Sequence, residues 1–338
     1  MAVAQHGTDS KTAAMSDTTK IEWTDYTWSP WEGCTKVSPG CAHCYAETRN
    51  HRFGNDNWGR GKPRRLVVDW RKPVRWNAES AGRMEIGNQV INRTVFPSLC
   101  DPFDDEVPIE WFARFLKLIH DTPCLNWLLL TKRPENFRKR LGMVKATDDE
   151  FGAWLLGWFL AANRQYNAPD RFVAVPDNVW IGASVEDQIR ADERIPELLK
   201  IPAARRFLSV EPLLGPVTLS LDNRNGPDLG HMAFIDWVII GGESGVHSRQ
   251  CKIEWIQDIV SQCRAAGVPP FVKQLGSLAT CDNANVFDWP ADARLLASDQ
   301  VEGAASCLIK TRHPKGGDIE EWPDQLRVRE FPNLRQFV

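Results

Sequence analysis

NWLLLT, residues 126–131, is a short apolar run that ends directly on Lys132 and Arg133. A run of this length without two-residue alternation is typical of a strand that is buried on both faces. Four further runs of the same kind follow it along the chain: NVWIGAS at 178–184, RFLSV at 206–210, DWVII at 236–240 and PFVKQ at 270–274. TVFPSL at 94–99 precedes it as a weaker strand candidate. The chain therefore carries a series of buried strands.

Helical patterns lie between these strands. IEWFARFLKLIH at 109–120 places its apolar residues on one helical face, and charged or amphipathic helices are predicted from about residue 134 and over 191–200. Another helix, containing Trp255 and Ile259, is predicted to end at Gly267, a residue suited to the left-handed cap. Alternation of strands and helices predicts a parallel sheet with crossover helices. Six or more such units favour an α/β fold of the (β/α) barrel type, partial or complete, and a doubly wound open sheet is the alternative.

Length and composition limit the classes of protein. The chain has 338 residues, 43% of them hydrophobic, and a formal net charge of −3, which gives no global signature of nucleic-acid or membrane binding. We expect a disordered N-terminal tail over 1–18, then a single domain over 19–338 with an insertion at about 141–177. No apolar run is long enough for a bilayer. An odd count of nine cysteines without an export signal indicates reduced thiols and a cytoplasmic location.

Polar residues follow each predicted strand. In parallel α/β folds the carboxyl ends of the strands meet at one face, which carries the active site. The sequence therefore predicts a ring of site residues there, although a single charged residue after a strand is ordinary. The ring consists of Asp101, Lys132, Arg133, Ser184, Glu186, Glu211, Glu243, Lys273 and Gln274.

A glycine-rich turn, GGESG at 241–245, follows the strand at 236–240. Glycines in this position allow either an anion-binding nest of backbone N–H groups or simply a tight turn between strand and helix. The sequence lacks a Walker A motif, so an ATP-type phosphate loop is excluded.

A cluster of cysteines lies in GCTKVSPGCAHCYAE, residues 33–47. Cys34, Cys41 and Cys44 have the spacing C-x6-C-x2-C, and the turn at Pro39 and Gly40 brings the first back toward the pair. Three thiolates without a fourth nearby suit a [4Fe–4S] cluster with one iron left open. The spacing alone equally allows a structural Cys3His zinc site completed by a histidine, His43 or, better placed, His51.

A basic and aromatic segment follows the cysteines, between residues 49 and 76. It contains nine Arg or Lys against two Asp, interleaved with Phe53 and three tryptophans, Trp58, Trp70 and Trp76. Such a mixture is typical of surfaces that bind unpaired bases, and it predicts a nucleic-acid or nucleotide substrate. The alternative is a solvated arginine-rich loop whose tryptophans cap the barrel.

Six motifs in a fixed order resemble the phage Gp37/Gp68 family, also described as DUF5131. They are the segment at 19–47, LLLTKRPENF, IGASVEDQIRADERIP, RFLSVEPLLGPV, DWVIIGGESG and PFVKQLG. That family looks like a divergent branch of the radical SAM superfamily, whose fold is a partial or full (β/α) barrel. The superfamily's usual cysteine spacing is C-x3-C-x2-C, so the first gap is longer here.

The resemblance implies a chemistry and assigns roles. Cys34, Cys41 and Cys44 would ligate three irons of a [4Fe–4S] cluster, and S-adenosyl-L-methionine would chelate the fourth. After reduction by an external electron donor, cleavage of S-adenosyl-L-methionine would give a 5′-deoxyadenosyl radical that abstracts hydrogen from a substrate. The basic and aromatic segment predicts that this substrate is a nucleic acid, in repair or base modification. By their strand-end positions, the predicted catalytic residues are Lys132, Glu211 and Lys273. The predicted cofactor-binding residues are Ser184, Glu186, Glu243, Arg133 and Gln274.

Two other functions remain open at this level. A zinc-stabilised nucleic-acid-binding module would use the same cysteines for structure only. A non-catalytic partner subunit is the other, since members of the resembled family are often encoded beside a three-Cys-motif partner protein. The convergence of charged strand ends favours an enzyme, because a binding module does not need such a ring.

Overall fold

The computed structural model describes residues 19–81, 93–146, 175–219, 235–297 and 307–332. The strands, in chain order, are β1 (Tyr26–Thr27), β2 (Trp31–Glu32), β3 (Arg65–Leu66), β4 (Arg93–Phe96), β5 (Leu125–Thr131), β6 (Val175–Ser184), β7 (Ala203–Val210), β8 (Trp237–Gly241), β9 (Cys251–Lys252), β10 (Pro270–Gln274), β11 (Ala279–Cys281), β12 (Arg294–Ala297) and β13 (Cys307–Lys310). The helices are α1 (Tyr45–Arg52), α2 (Arg71–Ala81), α3 (Ile109–His120), α4 (Asn136–Lys145), α5 (Gln188–Leu199) and α6 (Ile253–Ala266).

The main sheet has seven strands in the order β1-β4-β5-β6-β7-β8-β10, and every neighbouring pair is parallel. The strands follow one another in chain order, so the sheet winds in one direction. A doubly wound sheet would reverse its order at a switch point, and that alternative is therefore wrong. The fold is a mixed α/β fold with a parallel seven-stranded half-barrel sheet.

Most of the long elements lie where the sequence predicted them. α3 has the predicted bounds, and α6 ends before Gly267, whose φ of 70° is the left-handed cap. β4 ends at Phe96, earlier than predicted, directly before Pro97, which has no N–H for the sheet. The sequence did not predict β1, α1 or α2.

Both faces of the sheet are buried, as parallel sheets require. On the outer face, alternate strand residues such as Trp127, Ile181 and Leu208 pack against the helices. The inner face holds a separate cluster rich in aromatic side chains. Its members are Trp23, Phe96, Leu128, Trp180, Phe207, Trp237, Ile239 and Phe271. The half-barrel is therefore filled by rings below its open end.

The C-terminal part of the chain adds a small sheet in the order β12-β13-β11-β9 and covers one edge of the main sheet. Val272 and Leu275 of the β10 region donate their N–H groups to Val328 and Gly316 of this segment. An edge strand covered in this way cannot pair with another chain. Cys281 of β11 and Cys307 of β13 face each other across neighbouring strands with Cα atoms 5.4 Å apart, and the expectation of reduced thiols stays a prediction.

Two predicted segments fall largely or wholly outside the described residues. They are the tail at 1–18 and, apart from the end of α4 and the start of β6, the insertion at 141–177. Among the helices that the structure describes, none combines the length and apolarity that crossing a membrane requires.

Candidate active site

A cavity of about 250 Å³ opens at the carboxyl ends of the strands. The strand-end ring predicted from the sequence converges there, because successive parallel strands end at the same edge. Of the predicted residues, those that line the cavity are Asp101, Lys132, Ser184, Glu211, Glu243, Lys273 and Gln274. Arg133 and Glu186 are not among its lining residues; both lie buried behind it.

The cavity also has an apolar wall. Ile21, Trp23, Phe96 and Leu130 line it, and they belong to the inner cluster of the half-barrel or pack against it. Apolar side chains beside a few convergent polar groups are typical of small-molecule and cofactor sites. The cavity can therefore hold a ligand with one apolar and one polar part.

The cysteine loop, residues 34–44, forms another wall of the same cavity. Cys34, Cys41 and Cys44 all line it, although they come from different parts of the loop. A 3-10 turn at Pro39–Cys41 reverses the chain where the proline and glycine predicted a turn, and Cys44 is the N-cap of α1. The loop therefore brings three cysteines to the wall of one cavity.

A buried ion pair holds the start of the cysteine loop. Arg133 donates to Asp101 Oδ2 at 2.8 Å and to the carbonyl of Thr35 at 2.6 Å, and its Nη1 lies 3.5 Å from Cys34 Sγ. Asp101 also accepts hydrogen bonds from Thr131 Oγ1 at 2.6 Å and from the backbone N–H of Lys132 at 3.0 Å. The ends of β4 and β5 are thus joined to the first cysteine through one carboxylate.

A second buried ion pair holds the turn of the loop. Glu186 is fully buried; it accepts from the N–H of Gly40 at 3.1 Å and pairs with Arg194 of α5 at 2.8 Å. Burial raises the pKa of Glu186, but Lys132, Arg194 and the hydrogen bonds from the loop outweigh it, so the pKa lies below its usual value. In this structure Glu186 therefore positions the cysteine loop as a carboxylate, and its predicted cofactor contact stays a prediction.

A third ion pair holds the loop from the opposite side. Glu243 pairs with Arg249 through both carboxylate oxygens, at 2.6 and 2.9 Å, and lies 3.1 Å from Nδ1 of His43. Arg249 also donates to the carbonyl of Pro39 at 3.0 Å. Burial raises the pKa of Glu243, but the hydrogen bonds from Arg249 and His43 dominate and lower it to about 2.

We expect Glu243→Gln to lower the free energy of unfolding at pH 7, with a difference from wild type that disappears on acidification. The pKa of Glu243 is about 2 in the folded protein against 4.5 for the free side chain, so acidification protonates the unfolded state first. The stabilisation is complete above about pH 4.5 and is lost as the pH falls toward 2. Urea denaturation at pH 7, 4 and 2.5 measures it.

The matched control is Glu193→Gln, at a glutamate whose side chain is 62% exposed and lies 3.9 Å from its nearest partner, Arg190. Because solvent screens the two charges, such a pair contributes almost nothing to the free energy of unfolding. We therefore expect the control to follow wild type at all three pH values. If Glu243→Gln lowers the free energy of unfolding by the same amount at pH 7 and at pH 2.5, the charge of Glu243 does not account for the stabilisation.

Charged side chains that do not hold the loop face the cavity directly. Lys273 and Glu211 form an ion pair at 2.9 Å across the ends of β10 and β7. Lys132, after β5, lines the cavity and forms no ion pair with any residue in the described part of the chain. A cation that lines a cavity and is not held in a close ion pair can bind an anionic group of a ligand.

The thiols of the loop differ from solvated cysteines. Burial and the nearby Asp101 raise the pKa of Cys34 to about 12, and burial also raises the pKa of Cys44. A metal would have to displace these protons on binding. Within residues 19–81, 93–146, 175–219, 235–297 and 307–332, no three His, Cys, Asp or Glu side chains are grouped as a ready-made metal site. The three-cysteine metal site thus stays a prediction.

Cys100 is a residue of the cavity wall that the sequence did not single out. It lies after β4, its backbone bridges to Gly33, and its thiol pKa is raised by burial and by Asp101. It comes near the cysteine loop only through the fold, since it lies 56 positions after Cys44 in the sequence. Its position directly before Asp101, a member of the predicted ring, was the available signal.

The glycine-rich turn after β8 is explained by packing. A Cβ on Gly242 would lie 2.2 Å from the carbonyl oxygen of Leu275 and 2.9 Å from Cys251 Cβ. The N–H of Gly242 already donates to Gln274 at 3.1 Å, and that of Gly245 to Ser277 at 3.1 Å. These two N–H groups are therefore used within the fold, which favours the tight turn over an anion nest.

The tryptophans of the basic and aromatic segment at 49–76 pack inward, whereas most of its Arg and Lys side chains are exposed. Trp76 is fully buried and stacks on Tyr26 with ring centres 4.2 Å apart, Trp58 is buried, and Trp70 packs edge-on against Trp28. The three tryptophans thus follow the capping alternative. Phe53 differs, because 66% of it is exposed.

The fold and the site together define a class: a parallel α/β half-barrel protein whose three-cysteine loop covers a polar cavity at the strand ends. A family model described as "Protein of unknown function (DUF5131)" matches residues 18–315. The chain belongs to this family, which confirms that part of the resemblance seen in the motifs. Among curated proteins and among solved structures, none matches the chain.

Proposed function

We propose that this protein is a radical S-adenosylmethionine enzyme and that its half-barrel is of the radical SAM type. One observation carries the proposal: Cys34, Cys41 and Cys44 line the same cavity as the polar strand ends. A structural metal site has no need of a cavity or of charged groups converging on it. Thiols that face a cavity are instead placed for a metal that meets a ligand.

The residues present fit a [4Fe–4S] cluster in their chemistry. Cysteine thiolates are its usual ligands, and three of them leave one iron open. Cys34, Cys41 and Cys44 would hold the cluster, and the loop that carries them is tied down by the pairs of Asp101 with Arg133, Glu186 with Arg194, and Glu243 with Arg249. Such supporting bonds orient metal ligands.

The chain's own residues would bind and orient the other reactants. With such a cluster bound, reductive cleavage of S-adenosylmethionine would supply a 5′-deoxyadenosyl radical, given an external electron donor. Lys132 can bind a carboxylate or phosphate, and the Lys273–Glu211 pair can orient a polar group on the opposite side. The apolar wall at Trp23 and Phe96 excludes water from a reactive intermediate.

A Cys3His zinc site is the competing interpretation, and the histidines argue against it. His51 does not line the cavity that the three cysteines line. His43 lines it, but its Nδ1 faces Glu243 at 3.1 Å. Association with a three-Cys-motif partner protein stays a prediction.

Anaerobic purification with iron, sulfide and zinc analysis and an absorption spectrum tests the proposal. We expect about four irons per chain and broad visible absorbance in wild type, both lost in Cys41→Ala. A colourless protein that retains one zinc contradicts the proposal and leaves a structural site. S-adenosylmethionine cleavage under reduction is the assay that follows a positive result.

Cys100→Ala is the matched control, because Cys100 is a further cysteine in the same wall. The proposal assigns it no iron, so the variant should keep the iron content and spectrum of wild type. Loss of iron in both variants would mean four thiolates and no open iron, and S-adenosylmethionine chelation would then be excluded.

A further inference from the structure

Helix α1 runs away from the cavity with an exposed aromatic and basic face. Tyr45, Arg49 and Phe53 recur every four residues from its first residue to its C-cap, so they lie along one side. The rise of an α-helix places the first and last about 12 Å apart. Tyr45 is 55% and Phe53 66% exposed, and Tyr45 also lines the cavity. This α1 face therefore connects the surface to the site.

Both rings are held in place despite their exposure. The hydroxyl of Tyr45 donates to the backbone carbonyl of Ser98. The guanidinium of Arg49 lies over the ring of Phe53, 5.1 Å from its centre. A ring held by such contacts loses little conformational entropy when a ligand stacks on it.

The charge around the α1 face is positive. The carboxylate of Glu32 is buried and is shared by Arg49, at 3.3 Å, and Arg65, so one negative charge faces two positive ones. Arg52 is exposed and forms no ion pair with any residue in the described ranges. Lys132, also without an ion pair there, continues the positive charge into the cavity.

We infer that the α1 face binds a single-stranded nucleic acid and that Tyr45 marks where one nucleotide turns into the cavity. Exposed rings stack on bases, which a duplex keeps covered, while arginines pair with phosphates. An anionic protein segment would use the charges but not the spaced, rigid rings. Strand binding stands independently, whereas delivery of a nucleotide to the cavity rests on the proposed function.

Fluorescence anisotropy with labelled, mixed-sequence oligonucleotides tests the inference, using single-stranded DNA, single-stranded RNA and duplex DNA of about 12 units, within the usual site sizes. We expect the single strands to bind better than the duplex. Phe53→Ala should weaken single-strand binding about tenfold through lost stacking. Arg52→Gln should reduce the slope of log K against log salt by about one.

Matched controls lie on other surfaces of the described chain. Arg264→Gln removes an exposed arginine of α6, and Val286→Ala removes a side chain that is 55% exposed. Both should bind like wild type. Because Phe53 and Arg52 are exposed, their variants should also keep the wild-type circular dichroism spectrum and unfolding midpoint.

Several results would overturn the inference: duplex preferred over single strands, affinity that does not fall with salt, or α1 variants that bind no worse than the controls. The Cys41→Ala protein separates this inference from the proposed function, since strand binding should survive loss of the metal. Binding with no iron in wild type would retain the α1 face and reject the radical enzyme. Iron in the wild-type protein without binding of single strands would retain the radical enzyme and reject the α1 face. The affinities for single-stranded DNA and single-stranded RNA, compared with each other, show whether the protein prefers deoxyribose or ribose.

Discussion

Arg133→Ala should destabilise the protein by about 3–5 kcal/mol, the range for removing one partner of a buried ion pair. Asp101 and Arg133 are both almost fully buried, and their oxygen and nitrogen lie 2.8 Å apart. Without the guanidinium, the carboxyl group of Asp101 loses its cationic partner in a desolvated position, and the carbonyl of Thr35 loses a donor. Urea denaturation followed by circular dichroism measures the change, and the start of the cysteine loop should become more accessible to thiol reagents at Cys34.

The double variant Asp101→Asn, Arg133→Met separates charge from shape. It removes both charges and keeps similar volumes, so we expect it to recover much of the stability that Arg133→Ala loses. Arg264→Ala, at an exposed arginine, should stay within about 0.5 kcal/mol of wild type. If the double variant is as unstable as Arg133→Ala, the hydrogen bonds and not the unpaired charge account for the effect.

Gly242→Ala should cost about 3 kcal/mol, at the upper end of the usual cost of overpacking. The added Cβ would lie 2.2 Å from the carbonyl oxygen of Leu275, a backbone atom that cannot rotate away. The chain after β8 must therefore move away from the chain after β10, which also displaces Glu243 from the cavity rim. The free energy of unfolding and, for the site, the iron content of the variant are the measurements.

Gly215→Ala is the matched control, because nothing lies within 4 Å of the Cβ that it would add. Replacing such a glycine reduces the entropy of the unfolded chain, so stability should be unchanged or should rise by less than about 1 kcal/mol. Equal losses of stability at Gly242 and Gly215 would show that the close contact at Gly242 relaxes at little cost. A property other than this contact would then explain why glycine occupies position 242.

The long elements of this protein are readable in its sequence because they bury many residues in a regular pattern. β5, β7, β8 and β10 are apolar runs, and α3 has an amphipathic repeat over its whole length. β1 has two residues, too few for any periodicity, and it becomes a strand only through its pairing with β4. The same holds for the short strands of the C-terminal sheet.

The site divides in a similar way. The position of Lys132, Glu211 or Lys273 directly after a buried strand was enough to predict that they meet, because strand ends converge in a parallel sheet. Their division of labour was not predictable. Glu186 and Arg133 occupy equivalent positions but are buried against the cysteine loop, and their partners, Arg194 for the first and Asp101 for the second, depend on side-chain directions.

The sequence analysis did not identify Arg194 and Arg249, because their contacts also depend on side-chain directions. Arg194 lies in the quoted motif IGASVEDQIRADERIP, on the buried side of α5, and a buried arginine within a motif was the available signal. Arg249, which is half-buried, follows the glycine-rich turn in a loop, where no periodicity marks which side chain will contact the cysteine loop.

By itself, the sequence determined the parallel α/β class, the family, the convergence of the strand ends and the grouping of three cysteines on one short loop. These follow from local patterns: burial periodicity, residue spacing and the polarity of strand ends. Only the tertiary structure decided which charged residues hold the loop and which face the cavity, that Cys100 joins its wall, and that the tryptophans at 58–76 pack inward while Phe53 stays exposed. Those outcomes depend on contacts between segments far apart in the chain, and the free energy of burying each side chain is set by neighbours that no local window contains.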